Sequence, residues 1–208
     1  MDNTSQNKSV FQTFAVLAVA LLVFGGIALL VNTNDKSGTP ADRAVSPNSN
    51  SFGSALIGKP VAEFSLKDRN GVVYTPESLK GKNVVLFFNE GLMCYPACWN
   101  QIVALATDGR LQTADTVALS VVTDPANEWQ SAIQKMPTLG KATILHDTDK
   151  SLSRELGMLA APSSMHYGSY PGHSFVVIDK QGIVRFVYDD PRMGIDNELI
   201  VQELKKLE

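Results

Sequence analysis

The feature that most constrains the fold of this chain is an unbroken apolar run, NVVLFFN, at residues 83–89. Successive side chains of a strand point to opposite faces of its sheet, so a strand that is apolar at every position is buried on both faces. Helices must then cover both faces of that sheet, which predicts an α/β architecture. The chain's only two cysteines, Cys94 and Cys98, follow shortly after this run.

Apolar periodicity predicts further strands and helices on both sides of the run. Two short alternating segments around residues 68–71 predict a hairpin, and TVALSVVTD at residues 116–124 predicts another buried strand. The other predicted elements are a helix at 126–135, a strand at 142–145, a helix at 150–156, a hairpin with strands at 174–179 and 183–188, and a final helix at 197–207. This order predicts one domain at residues 53–208, with a mixed β-sheet flanked by helices.

The amino-terminal part of the chain divides into three segments by composition. Residues 14–31 carry no charged side chain, and a helix that crosses a bilayer takes about 17 to 25 residues. We therefore expect a transmembrane signal-anchor helix at residues 13–31, preceded by a short cytoplasmic tail at 1–12. Residues 32–52 are rich in Asn, Ser and Pro and predict a flexible linker. A cleaved signal peptide is the alternative for the apolar segment.

The charges around the apolar segment bear on its orientation. Lys8 precedes the segment, while Lys36 and Arg43 follow it, so the basic residues favour neither side strongly. A short polar tail ahead of a long domain is the usual arrangement of a signal anchor whose amino terminus stays in the cytoplasm. We expect a single-pass membrane protein with its carboxy-terminal domain outside the cytoplasm.

Charge and cysteine content exclude some classes of function. The formal net charge is -3 and the basic residues form no stripe, so nucleic acid is not an expected partner. A disulfide between Cys94 and Cys98 closes a very short loop and stabilises a fold little. In an oxidising compartment such a CxxxC pair favours redox or metal chemistry over a structural bridge.

Two longer segments carry a family resemblance. GKPVAEFSLKDRNGVVYTPESLKGKNVVLFF at residues 58–88 and HSFVVIDKQGIVR at residues 173–185 resemble the opening and closing segments of the redoxin, or AhpC/TSA-like, branch of the thioredoxin superfamily. That branch holds the peroxiredoxins, the TlpA-like thiol oxidoreductases and the Sco copper chaperones. The resemblance implies a thioredoxin-like fold, thiol chemistry that requires no cofactor, and a protein thiol, a disulfide or a peroxide as the reaction partner.

Two residues that support peroxide reduction in peroxiredoxins are replaced in this chain. Peroxiredoxins carry a Thr three residues before the peroxidatic cysteine, and the corresponding residue here is Gly91. They also carry an Arg just ahead of the closing strand, where this chain has Gly172, His173 and Ser174. The resemblance therefore implies a peroxiredoxin-like antioxidant protein with weak classical peroxidase activity.

The cysteine spacing leaves a second function open. TlpA-like proteins use CxxC, whereas Cys94 and Cys98 have the CxxxC spacing of Sco proteins, which add a His before the closing strand as a third copper ligand. His173 stands near that place. The alternative function is thus a copper-binding chaperone with Cys94, Cys98 and His173 as ligands, because thiolate and imidazole suit copper.

For thiol chemistry, the residues between the cysteines predict separate roles for the pair. Pro96 suits the first turn of a helix, so Cys94 should lie at or just before the helix start, where N–H groups favour a thiolate. Cys94 is then the attacking sulfur and Cys98 the resolving one. His173 is a candidate base, proton donor or ligand, and Glu90 is a weaker candidate for a proton relay.

Overall fold

The computed structural model describes residues 51–208. Within that range the strands are β1 (Leu66–Asp68), β2 (Val73–Tyr74), β3 (Asn83–Phe88), β4 (Thr116–Val122), β5 (Ile144–His146), β6 (Ser174–Ile178) and β7 (Val184–Asp189). The α-helices are α1 (Pro76–Leu79), α2 (Ala97–Thr107), α3 (Trp129–Lys135), α4 (Ser151–Glu155) and α5 (Asn197–Lys205). Short 3₁₀ turns are found at Ser54–Leu56, Gly91–Met93, Ala126–Glu128, Pro137–Lys141 and Met158–Ala160.

The seven strands form one mixed sheet in the order β2-β1-β5-β4-β3-β6-β7. Strands β3, β4 and β5 run parallel, while β6 pairs with β3, and β7 with β6, in antiparallel fashion. Strand β3 lies inside the sheet and every one of its six residues is buried. The thioredoxin-like α/β fold with a mixed sheet flanked by helices is therefore confirmed.

Alternate residues of β3 belong to two hydrophobic cores, one on each face of the sheet. Val85 and Phe87 belong to the core that also contains both cysteines and buried side chains of α2 and α5. Leu86 and Phe88 belong to the other core, which Leu152 of α4 joins. Because the cysteines follow β3 on the α2 side, the redox pair is built into the wall of a packed core.

Most predicted elements are present, with shifted ends. The predicted helix at 126–135 is a 3₁₀ turn, Ala126–Glu128, followed by α3. The short helix α1 was not predicted, because four residues are too few to show a helical period. Its local signal is a capping box, in which Thr75 and Ser78 each accept a hydrogen bond from the other's backbone N–H.

The predicted cytoplasmic tail, the predicted transmembrane helix and nearly all of the predicted linker lie outside the described residues. Within residues 51–208, no helix is both long enough and apolar enough to cross a membrane. The membrane anchor at residues 13–31 thus remains a prediction from the sequence.

Candidate active site

Cys94 and Cys98 are joined by a disulfide at the amino end of α2. Their Cα atoms are 5.3 Å apart, inside the range of roughly 4.4 to 6.8 Å that disulfides accept. The backbone N–H of Cys98 donates to the carbonyl of Cys94 over 3.0 Å, which closes the turn between them. The spacing of the pair therefore allows the intramolecular disulfide that the sequence predicts.

The two cysteines differ in their relation to the helix. Helix α2 begins at Ala97 with Pro96 as its N-cap, so Cys98 lies inside the first turn. Cys94 precedes the helix and ends the 3₁₀ turn Gly91–Met93. The sequence placed Cys94 at or just before the helix start, and the inserted turn moves it further from the first helical residue.

A tryptophan holds the turn that carries Cys94. The indole Nε1 of Trp99 donates to the carbonyl of Gly91 over 3.2 Å, and its ring contacts the edge of Tyr95 with centroids 4.9 Å apart. Trp99 is buried, whereas Tyr95 is exposed. Both cysteines are also buried. The disulfide thus lies just under a surface formed in part by an exposed aromatic ring.

His173 lies against Cys98. Its Nδ1 is 3.7 Å from the Sγ of Cys98, and its ring packs edge-on against Phe87 with centroids 4.6 Å apart. Burial disfavours the imidazolium and lowers the pKa of His173 to about 4, and the charge of Asp190 and the backbone of Gly194 offset only part of that shift. Beside the disulfide the ring is therefore neutral at neutral pH.

A network that the sequence did not reveal fixes the backbone of His173. The N–H of His173 donates to Ser163 Oγ over 2.7 Å, and that hydroxyl donates to Asp189. The N–H of Asp190 donates to the carbonyl of His173 over 2.9 Å. The pairing of Ser174 with Asp189 in the β6–β7 hairpin brings these groups together. Counting residues outward from the predicted hairpin turn pairs Ser174 with Tyr188 instead, because the strands shift register by one residue between Val177 and Ile178. The sequence therefore carries no signal for this contact.

Glu90 is buried just after β3, where its carboxylate contacts the loop at residues 164–166. The carboxylate accepts hydrogen bonds from Ser164 Oγ over 3.1 Å and from the backbone N–H of His166 over 3.0 Å. It also faces His166 Nδ1 at 3.3 Å. These contacts tie the 164–166 loop to the end of β3, which is a structural role.

Gly91 and Gly172 lie where peroxidase residues are missing, and neighbouring atoms leave little room for a side chain at either glycine. Gly91 has a φ of +65°, and a Cβ built there would lie 1.7 Å from the carboxylate Oδ2 of Asp124, which accepts the N–H of Leu92 over 3.1 Å. A Cβ on Gly172 would lie 2.3 Å from Ser163 Oγ. A side chain at Gly91 would have to keep a positive φ and displace the Asp124 carboxylate, and a side chain at Gly172 would also clash with Ala161 Cβ at 2.7 Å and with the backbone N of Ser164 at 2.9 Å.

Two peroxiredoxins resemble this chain in sequence. The chain is 29% identical over 166 residues to the chloroplastic peroxiredoxin Q of Sedum lineare, a match covering 74% of this chain and 82% of that protein. It is 29% identical over 151 residues to the chloroplastic peroxiredoxin Q of Triticum aestivum, covering 68% of this chain and 64% of that protein.

Solved structures share the fold at lower identity. Enterococcus faecalis AhpC superposes with a TM-score of 0.62 at 20% identity, covering 73% of this chain and 91% of that chain. The exposed lipoprotein thioredoxin Etrx1 of Streptococcus pneumoniae superposes with a TM-score of 0.52 at 21% identity, covering 70% of this chain and 100% of that chain.

The copper alternative gains no support from these relatives. Peroxiredoxin-type thiol chemistry needs no cofactor. In the disulfide form, moreover, neither Cys94 nor Cys98 has a thiolate to offer a copper ion.

The AhpC/TSA family matches residues 57–187, a span that contains Cys94, Cys98 and His173. The chain therefore belongs to the AhpC/TSA family, the peroxiredoxin-like thiol oxidoreductases of the thioredoxin superfamily.

Proposed function

We propose that this protein is a membrane-anchored, extracytoplasmic thiol–disulfide oxidoreductase that works through the Cys94/Cys98 pair. The observation that carries the proposal is the buried Cys94–Cys98 disulfide at the amino end of α2 with His173 beside Cys98. A bridge over so short a loop stabilises little, so its value lies in being opened and closed. The sequence relatives named peroxiredoxin Q support thiol chemistry for the pair.

The proposed reaction exchanges one disulfide for another. A partner thiolate attacks Cys94 Sγ, the Cys94–Cys98 bond breaks, and Cys98 leaves as a thiolate that takes up a proton. A second partner thiolate then attacks the mixed disulfide and releases Cys94, so two partner thiols are oxidised and one protein disulfide is reduced. The same steps in reverse reduce a partner disulfide. A peroxide is the alternative oxidant of the reduced pair.

The roles of the two cysteines can be tested by trapping the mixed disulfide. The Cys98→Ser variant of the full chain, purified in mild detergent, should retain glutathione on Cys94 after treatment with oxidised glutathione, because no resolving thiol remains. The Cys94→Ser variant should react at least about 10-fold more slowly, since Cys98 lies inside the first turn of α2 whereas Cys94 precedes the helix. Intact mass spectrometry measures both adducts. Faster labelling of Cys94→Ser would reverse the assignment.

The proposed location rests on the uncharged stretch at residues 14–31. The full chain expressed in bacteria should stay in the membrane pellet after alkaline carbonate washing, and protease added outside the inner membrane should digest its carboxy-terminal domain. Replacing Leu22 and Val23 with arginine should release the domain from the membrane or block its export, because each central arginine costs about 2.5 to 3.5 kcal/mol. Recovery of the unaltered chain in the soluble fraction would refute the anchor.

A further inference from the structure

Two buried carboxyl groups lie next to the ring of His173. A ring nitrogen of His173 and one carboxylate oxygen each of Asp190 and Asp196 lie within 4.8 Å of one another, and all three residues are buried. Asp190 follows β7 and Asp196 directly precedes α5. Neither residue is part of the disulfide chemistry described above.

The ring of His173 connects these carboxyl groups to Cys98. Nδ1 faces the Sγ of Cys98 at 3.7 Å. Nε2 is fully buried and has no hydrogen-bond partner among residues 51–208. Imidazole accepts a proton on one nitrogen while it donates from the other, so a ring between a thiol and an acid is suited to passing a proton between them. Groups separated by up to 4.8 Å exchange protons through one bridging water or a small rotation of the ring.

The two carboxyl groups are not equivalent. Asp190 accepts hydrogen bonds from Arg192 Nε over 3.0 Å and from the N–H of Gly194 over 2.7 Å, which favour its charged form. Among the described residues, no cation donates a hydrogen bond to Asp196, and its Oδ2 has no partner. Burial and the neighbouring Asp190 raise the pKa of Asp196 to about 6. The pair thus holds one exchangeable proton below about pH 6, as closely spaced carboxyl groups do.

The other charged groups near the ring of His173 are engaged in other hydrogen bonds and do not serve as its proton source. Arg192 contacts Asp190 and also reaches the hydroxyl of Tyr188 over 3.3 Å. Asp189 holds the hydroxyls of Ser163 and Ser174, which fix the backbone at His173. Both oxygens of Asp190 already accept hydrogen bonds, which makes the cluster a poor cage for a cation.

We infer that His173, Asp190 and Asp196 form a proton relay that serves Cys98, the leaving and resolving sulfur of the proposed thiol–disulfide exchange. The inference rests on the proposed function. It assigns His173 to Cys98, whose sulfur the ring faces, and it makes the Asp190–Asp196 pair the source and acceptor of the proton. His173 contacts the reacting sulfur, while the two aspartates act through it.

The proton balance follows from the exchange step. When a partner thiolate opens the disulfide, the negative charge that appears on Cys98 favours proton uptake by His173. Nδ1–H is donated to the Cys98 thiolate, and Nε2 takes the replacement proton from the carboxyl pair. In the oxidative direction the Cys98 thiol gives its proton to Nδ1, Nε2–H passes to the carboxyl pair, and the Cys98 thiolate attacks the sulfur of Cys94. The partner's thiolate leaves to solvent.

The relay predicts a pH profile for disulfide opening that depends on Asp196. The full chain in mild detergent is reduced by excess dithiothreitol between about pH 5 and pH 8, and the rate is divided by the concentration of dithiothreitol thiolate. Below its pKa of about 6, Asp196 is protonated and can supply a proton to His173. The normalised rate should therefore fall as pH rises through that value. Acid quenching, alkylation and intact mass spectrometry follow the reaction.

Two variants remove the relay from its two ends. Asp196→Asn should flatten the profile at the level that the unaltered chain reaches at high pH. Asn caps a helix as well as Asp, so the start of α5 should be kept. His173→Asn should flatten the profile too and lower the normalised rate roughly 100-fold, the lower end of general acid–base contributions. Asp196→Glu, which keeps a titrating carboxyl group, should restore a sloping profile.

Glu203→Gln is the matched control, because it removes a buried carboxylate of α5 that pairs with Lys206. Its profile should overlay that of the unaltered chain. An Asp196→Asn profile that keeps its slope, or a Glu203→Gln profile that loses its slope, overturns the relay. A chain whose disulfide neither opens with dithiothreitol nor closes again with oxidised glutathione refutes the proposed function itself.

Discussion

Hydrogen peroxide is expected to be consumed by this protein about 10⁴-fold more slowly than by a peroxiredoxin Q. Each preorganised hydrogen-bond donor that stabilises charge in the transition state raises the reaction rate about 100-fold or more, and two such donors are absent here. Gly91 has no hydroxyl to donate, and none of Gly172, His173 and Ser174 is the arginine that peroxiredoxins carry ahead of the closing strand. Gly91 has a positive φ, and a Cβ on Gly172 would clash with Ala161 Cβ and the backbone N of Ser164, so the structure leaves little room for a side chain at either glycine.

The measurement is peroxide loss by the reduced full chain under single-turnover conditions, with the peroxiredoxin Q of Sedum lineare as the reference. The Cys94→Ser variant sets the background. Consumption near the reference rate would contradict the expectation and point to His173 as a substitute donor. Arg185 is a poor substitute, because its guanidinium is paired with Asp179 beside the β6–β7 turn.

Replacing Gly91 with alanine is expected to destabilise the domain by about 3 kcal/mol. A positive φ costs a non-glycine residue about 1 to 2 kcal/mol, and overpacking a tight site costs about 1 to 3 kcal/mol more. At Gly91 both apply, since φ is +65° and the new Cβ would lie 1.7 Å from Asp124 Oδ2. Urea unfolding followed by the fluorescence of Trp99 and Trp129 measures the loss.

Gly71→Ala is the matched control. Gly71 has a φ of +81°, and no atom of the described residues lies within 4 Å of the position that a Cβ would take, so only the backbone cost remains. That cost should be about 1 kcal/mol. The double variant Gly91→Ala, Asp124→Ala should be less destabilised than the sum of its single changes, because the clash is gone. Equal losses for Gly71→Ala and Gly91→Ala would show that Asp124 does not constrain the turn before Cys94.

The central strands could be predicted because their signals are local. Strand β3 is apolar at nearly every position, and any strand with that pattern needs cover on both faces. The hairpins at β1–β2 and β6–β7 have turn residues between apolar runs. The divided helix at 126–135 and the short α1 were harder to predict from the sequence, because their lengths depend on capping and packing more than on periodicity.

The α/β class, the family and the CxxxC pair after the first buried strand can be recognised from the sequence alone, because each depends on residues that are neighbours in the chain. Which sulfur His173 faces, and which carboxyl groups lie next to its ring, depends on the tertiary fold. Those contacts join residues from α2, the ends of the β6–β7 hairpin and the start of α5. Pairing across such distances in sequence is set by how the sheet and helices pack, and no local pattern encodes it.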